Sequence, residues 1–231
     1  SIALTSNVAG TTFSWTASGP GSLSGFSAGS GSLIAQTILN NSNAPHDVTY
    51  VITPTANGCA GNSITVTVTV NPAQVLSIVP SSPATCSGGN VVINLVGNVS
   101  GIAFTWTASA VGNVTGFSNG SGSTISQTLV NNDNVTRQVV YSVMMSLNGC
   151  TAGPSNFNVT VYPQAAVTTA PTTATICSGS AFNLALTSNV AGATYTWTAN
   201  STVGVSGFSG GSGNSINQTI INSTNAPASV T

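Results

Sequence analysis

Apolar and polar residues alternate in short runs along this chain. In "ITVTVTV" Ile64, Val66, Val68 and Val70 fall on one side and three threonines on the other. "VVINLV" places Val91, Ile93 and Leu95 on one face, and "AFTWTAS" alternates Phe104 and Trp106 with Thr105 and Thr107. "STISQTLV" carries Ile125 and Leu129, "QVVYSVMM" carries Val139, Tyr141 and Val143, and "FNVTVY" carries Phe157, Val159 and Val161. A period of two with β-branched residues predicts strands with one buried face. Clusters of Gly, Asn and Pro separate the runs, as turns require. No helical period is present.

The pattern repeats. "FSWTAS" (Phe13–Ser18) returns as "FTWTAS" (Phe104–Ser109) and "YTWTAN" (Tyr195–Asn200), so the tryptophans run from 15 to 106 to 197 in two steps of 91. The same step links Asn7, Asn98 and Asn189; Gln36, Gln127 and Gln218; Tyr50 and Tyr141; Cys59 and Cys150; and Cys86 and Cys177. A period of 91 is longer than most solenoid units and fits one small domain. The expected division is a partial repeat over 1–72, a complete β-sandwich repeat over 73–163 and a partial repeat over 164–231. Since the 231 residues hold two periods and 49 more, the stretch reads as a piece of a longer tandem array. No charged-then-apolar leader opens it, so a signal peptide is expected to be absent or removed.

Six to eight short strands in each period point to an all-β fold of tandem immunoglobulin-like sandwiches. Trp15, Trp106 and Trp197 fall where such folds bury an indole between sheets. They are assigned to the core rather than to sugar-stacking platforms, together with Phe26, Phe117, Phe208, Tyr50 and Tyr141. Three aromatics stand outside the repeat: Phe157, Tyr162 and Phe182 replace Val66, Asn71 and Val91, and at least two read as core swaps.

Charge changes the picture most. Only 1% of residues are charged: Asp47, Asp133 and Arg137, against about 25% in ordinary globular chains. Ser, Thr, Asn and Gln must face water instead. One Arg cannot displace the phosphate counterions that nucleic-acid binding requires, nor dock on anionic lipid. No apolar run reaches the roughly 18 residues of a spanning helix, so neither nucleic acid nor direct membrane insertion is expected. Two distant carboxylates make no calcium cage. With one His and no C-x₂-C, no zinc site or other metal site is expected, and nothing calls for a cofactor.

One motif suggests chemistry. "GFSAG" (Gly25–Gly29) matches the G-x-S-x-G nucleophile elbow and recurs around Ser118 and Ser209. An elbow needs a following helix, a base and a carboxylate, whereas the next element here is a strand. His46 becomes Arg137 and Ala228 in the other copies, and Asp47 becomes Gln138 and Ser229. The motif therefore reads as a glycine-rich loop anchored by Phe26, and no catalytic residue is assigned. His46, Asp47, Asp133 and Arg137 share one loop of the unit, which reads as a tolerant tip or as a contact surface toward a neighbouring unit or a partner.

The cysteines occupy two recurring positions. Cys86 opens a unit and Cys150 closes it, which favours a Cys86–Cys150 disulfide, with Cys59 and Cys177 unpaired in this stretch. The rival is Cys59–Cys86 across the junction. Either implies an oxidising setting outside the cytoplasm.

"LTSNVAGTTFSWTA", "GFSAGSGS", "VTYVITPTANGCAGN" and "ITVTVTVNP" resemble the PKD-like and immunoglobulin-like repeats of very large secreted proteins of Bacteroidota. The resemblance implies export by the type IX route, a place at the cell surface, and duty in adhesion, gliding or stalks. It favours a stiff, uncharged, non-enzymatic rod whose partners are neighbouring repeats of the same chain, other copies in a bundle or filament, or surface glycans. The alternative is a carbohydrate-binding or spacer module of a secreted enzyme.

Overall fold

The computed structural model describes residues 1–231, and every regular element in it is a β-strand. The complete repeat folds as two facing sheets. One has the spatial order Leu76–Val79, Gly89–Gly97, Thr124–Asn131, Val114–Thr115, all antiparallel. The other runs Ala84–Cys86, Cys150–Tyr162, Arg137–Leu147, Ala103–Val111, Gly120–Ser121. Its one parallel pair joins the edge strand Ala84–Cys86 to Cys150–Tyr162.

The period-two pattern explains the core. Val91, Ile93, Leu95, Val114, Ile125 and Leu129 point inward from the first sheet, and Phe104, Trp106, Val139, Tyr141, Val143, Met145, Val159 and Val161 from the second. Side chains alternate across each strand, so the intervening Thr, Ser and Asn meet solvent. Phe157 lies directly across from Tyr141, and their rings stack with centroids 5.4 Å apart.

The main hairpin of the second sheet turns at Asn148-Gly149, both with positive φ (49° and 81°). That is the two-residue turn whose twist suits antiparallel strands. Asn57-Gly58 does the same one period earlier, with φ of 51° and 80°. Register repeats as well: Trp15 faces Ile52 as Trp106 faces Val143.

The first unit holds as many strands as the complete one but buries fewer residues, and the last unit holds fewer strands. The core of the first contains six buried residues: Trp15, Leu23, Ile34, Val48, Tyr50 and Ile52. Val66, Val68 and Val70 pack against it, but Ile64, expected to face inward with them, is 58% exposed. It sits at the mouth of an open apolar groove with Ile2, Leu4, Phe13 and Val66, where no further strand covers it. In the last unit Ala181–Ala185 pairs with Ser215–Thr219, and Trp197 is half-buried. The last unit's match to Arg137–Leu147, the long strand paired with the Trp106 strand, spans only 228–231.

Candidate functional site

The G-x-S-x-G loop builds a seat for the tryptophan. Trp15 Nε1 donates to the Ser27 carbonyl (3.2 Å), and Gln36 Nε2 donates to the same carbonyl (2.9 Å) and to Ser27 Oγ (3.1 Å). The Ser27 amide and the Tyr50 hydroxyl both donate to Gln36 Oε1, at 3.1 and 2.7 Å. The network recurs one period later. Trp106 and Gln127 hold Ser118 at 3.2 and 2.9 Å, and the Tyr141 hydroxyl reaches Gln127 at 2.6 Å. In the third unit Gln218 and Trp197 hold the Ser209 carbonyl at 2.6 and 3.3 Å.

Both glycines of the motif have steric reasons. A Cβ on Gly25, Gly116 or Gly207, all at positive φ, would land 2.0 Å from the carbonyl oxygen of Thr37, Thr128 or Thr219. A Cβ on Gly29, Gly120 or Gly211 would press into the Trp15, Trp106 or Trp197 indole at 2.7, 2.5 or 2.7 Å. The serine hydroxyl meets an amide nitrogen, which has no basic lone pair to take its proton. Loop and tryptophan thus form one structural device. Trp15 and Trp106 are buried, and Phe26 and Phe117 pack half-buried against the two cores. Phe208 is half-buried in the third unit, as is Phe182, while Tyr162 lies exposed.

The expected Cys86–Cys150 disulfide is overturned. Cys150 opens a 13-residue strand, and Cys86 pairs with Tyr162 at its other end. At about 3.3 Å per residue the two lie roughly 40 Å apart, against the 7 Å limit for bridging Cα atoms. The rival Cys59–Cys86 fails likewise. Cys59 stands in the hairpin at the entry end of the first unit and Cys86 at the exit end of the second. All four cysteines are free and exposed.

What the structure gathers at one place is the junction between units. Asn98 Nδ2 donates to the Ala73 carbonyl (3.0 Å) and, across the junction, to Asn43 Oδ1 (2.9 Å). Its Oδ1 accepts the Val75 amide (2.8 Å). One period on, Asn189 makes the same set with the Gln164 carbonyl (3.3 Å), Asn134 Oδ1 (2.8 Å) and the Ala166 amide (2.7 Å). Pro72 is buried beside the first junction, where a fixed φ and a missing N–H end strand pairing.

Asn43 and Asn134 belong to the loop expected to carry all the charge, but only Asp133 lies in it. His46 and Asp47 open the strand His46–Ala56, and Arg137 opens Arg137–Leu147, because in both units the strand begins earlier than the sequence suggests. That loop is shaped from beneath by Asn40 and Asn131, both buried. Asn40 Nδ2 donates to the Ala44 and Val70 carbonyls at 2.8 Å each, and Asn131 Nδ2 donates to Val135 and Val161 at 2.8 and 2.9 Å. Arg137, at the start of its strand, reaches back to pair with Asp133 in the loop, Asp47 accepts from the Thr69 hydroxyl (2.7 Å), and His46 lies across from Val70. The sequence displayed the recurrence of Asn98 and Gln36. It could not display that one clamps a neighbour and the other a tryptophan seat.

Three groups have displaced pKa values. Burial raises Tyr50, and raises Tyr141 to about 12. The Asn113 amide and then Arg137 hold Asp133 below its ordinary value. A tyrosine raised above 10 contributes stability that is complete below pH 10 and is lost as pH climbs toward 12. A lowered carboxylate contributes above its ordinary value, and that contribution is lost only as pH falls beneath it. Melting followed by circular dichroism should therefore give a Tm nearly constant from about pH 5 to 9. Above pH 10 it should fall, with Tyr141 alone removing about 2–3 kcal/mol by pH 12. A steep dependence between pH 5 and 9 would contradict this assignment.

The fold and its junctions define a class: tandem two-sheet sandwiches of an all-β, immunoglobulin-like kind. The family of PKD-like domains matches residues 1–74, 83–165 and 174–231. The chain belongs to that family, whose domains serve as structural repeats or spacers and are typical of extracellular or surface proteins. A search of curated proteins found no match.

Proposed function

We propose that this chain is a load-bearing segment of a large extracellular surface protein or filament, a stiff uncharged rod with a structural or adhesive role and no catalytic one. The single observation that carries this reading is the asparagine clasp, built from the same partners at both junctions. Hydrogen bonds from Asn98 and Asn189 tie the first residues of each unit to a loop of the unit before it. No flexible Gly/Ser linker separates them. A near-neutral surface adds that copies can lie side by side with little repulsion, and uncharged edge strands invite lateral pairing. Such association would be largely indifferent to salt.

Small-angle scattering tests it. A compact globule of this length would have a radius of gyration of about 17 Å. A rod of two full spans and a part, at very roughly 40 Å each, would give about 30 Å. The smaller value would overturn the proposal. Replacing both clasps, Asn98→Ala with Asn189→Ala, should leave each sandwich folded but broaden the distribution of interatomic distances. An unchanged distribution would show that the clasps do not set the angle between units.

A further inference from the structure

The two cysteine positions, separated by the length of a unit, come together when one junction is laid over the other. At the first junction the Cys150 carbonyl accepts from Gln74 Nε2 at 3.0 Å, and Cys150 Sγ lies 3.5 Å from Asn71 Nδ2. Asn71 is the last residue before Pro72, and Tyr162 holds the same place one period later. At that place in the complete unit, Cys86 is the direct cross-strand partner of Tyr162. The Ser87 amide, the next along, donates to the Tyr162 carbonyl at 2.8 Å. Residues paired across adjacent strands project to the same face about 5 Å apart. One thiol position therefore flanks residue 71/162 from within its own unit, and the other touches it from the unit that follows.

We propose that these cysteines are the two halves of a repeating inter-unit disulfide: the exit-end cysteine of each sandwich bonds the entry-end cysteine of the next. In a continuing array of this period, Cys86 would join the cysteine one period beyond Cys150, and Cys150 the one a period before Cys86. This explains why a chain with so few reactive side chains keeps two cysteine positions, both exposed, at opposite ends of a unit. The bond forms by exchange with a small disulfide oxidant. One thiolate attacks the oxidant and expels one thiol. The second thiolate then attacks the mixed disulfide, so two thiols are oxidised and the oxidant is reduced to two thiols. The inference rests on the tandem arrangement and not on the adhesive role.

The test extends the full chain, 1–231, by a copy of residues 141–163, which continues the third unit in register and adds the equivalent of Cys150. After equilibration with oxidised glutathione, peptide mapping should recover a crosslink between Cys86 and that added cysteine in most molecules. Cys59, Cys150 and Cys177 should remain able to react with a thiol reagent. Recovery of a different pair, or a free Cys86 in a chain whose third unit gains the amide protection of the second, would overturn the proposal. A second variant needs no added segment. Asn71→Cys in the 1–231 chain places a thiol on the near side of the first junction and should crosslink to Cys150. Thr107→Cys, exposed in the middle of Ala103–Val111 and paired with Ser142, should not. Failure of Asn71→Cys to crosslink, or equal crosslinking by Thr107→Cys, would also sink it. Scattering of the reduced chain reports the rod separately, so the two readings fail independently.

Discussion

Trp106→Ala should destabilise the complete unit by about 3–5 kcal/mol, the cost of removing a large aromatic from a closed core. Trp106 is 7% exposed and lies among Val143, Tyr141 and the rest of the fourteen-residue cluster. Removing it does more than open a cavity. The Ser118 carbonyl loses the indole donor, and the loop that rests Gly120 against the ring loses its floor. Hydrogen exchange in the intact chain can read the effect unit by unit. Protection of the Val139–Val143 amides should fall by about two to four orders of magnitude, while Val48–Ile52 in the neighbouring unit should hardly change. A loss under about 1 kcal/mol would mean that the indole is not part of the core.

Gly116→Ala should be nearly as damaging, although it adds only one methyl. Gly116 has φ of +90°, and the new Cβ would stand 2.0 Å from the Thr128 carbonyl oxygen, which cannot move without breaking the strand that carries it. Gly122 is the control: its φ is +119°, yet no atom lies within 4 Å of the added carbon. Gly122→Ala should lose about 1 kcal/mol through backbone conformation alone. Gly116→Ala should lose about 3 kcal/mol or more, since strain and overlap add. The same protection experiment separates them. If the two cost the same, the overlap is relieved by loop movement, and the structural reading of G-x-S-x-G weakens.

The sequence made the sandwich legible because alternation and burial report the same thing. Val91, Ile93 and Leu95, like Val139, Tyr141 and Val143, were marked as inward by period alone and are buried. Ile64 obeyed the same pattern and is exposed, because periodicity assigns a face but not whether anything covers it. The cysteines failed for a different reason. Order along the chain put Cys86 at the start of a unit and Cys150 near its close, which read as a pair. The long strand from Cys150 to Tyr162 returns the chain to the other end, so closeness in order became distance in space. Glutamines and asparagines were visible as recurrences, but an amide contributes to a pattern only through its partners. Those partners, the Ser27 carbonyl for Gln36 and Asn43 for Asn98, lie 9 and 55 residues away.

The parallel pairing of Ala84–Cys86 with Cys150–Tyr162 has a mechanical consequence. These strands run in the same direction; the second ends the complete unit, and only Leu76–Val79 comes before the first. Tension on the two ends that passes through Leu76–Val79 to this pair drags the neighbours past each other lengthwise. Their hydrogen bonds are then loaded in shear and must rupture together, instead of unzipping one at a time as at the mouth of a hairpin. Were a row of such sandwiches stretched, this pair is where each would resist lengthwise sliding, and the row would be expected to lengthen one unit at a time.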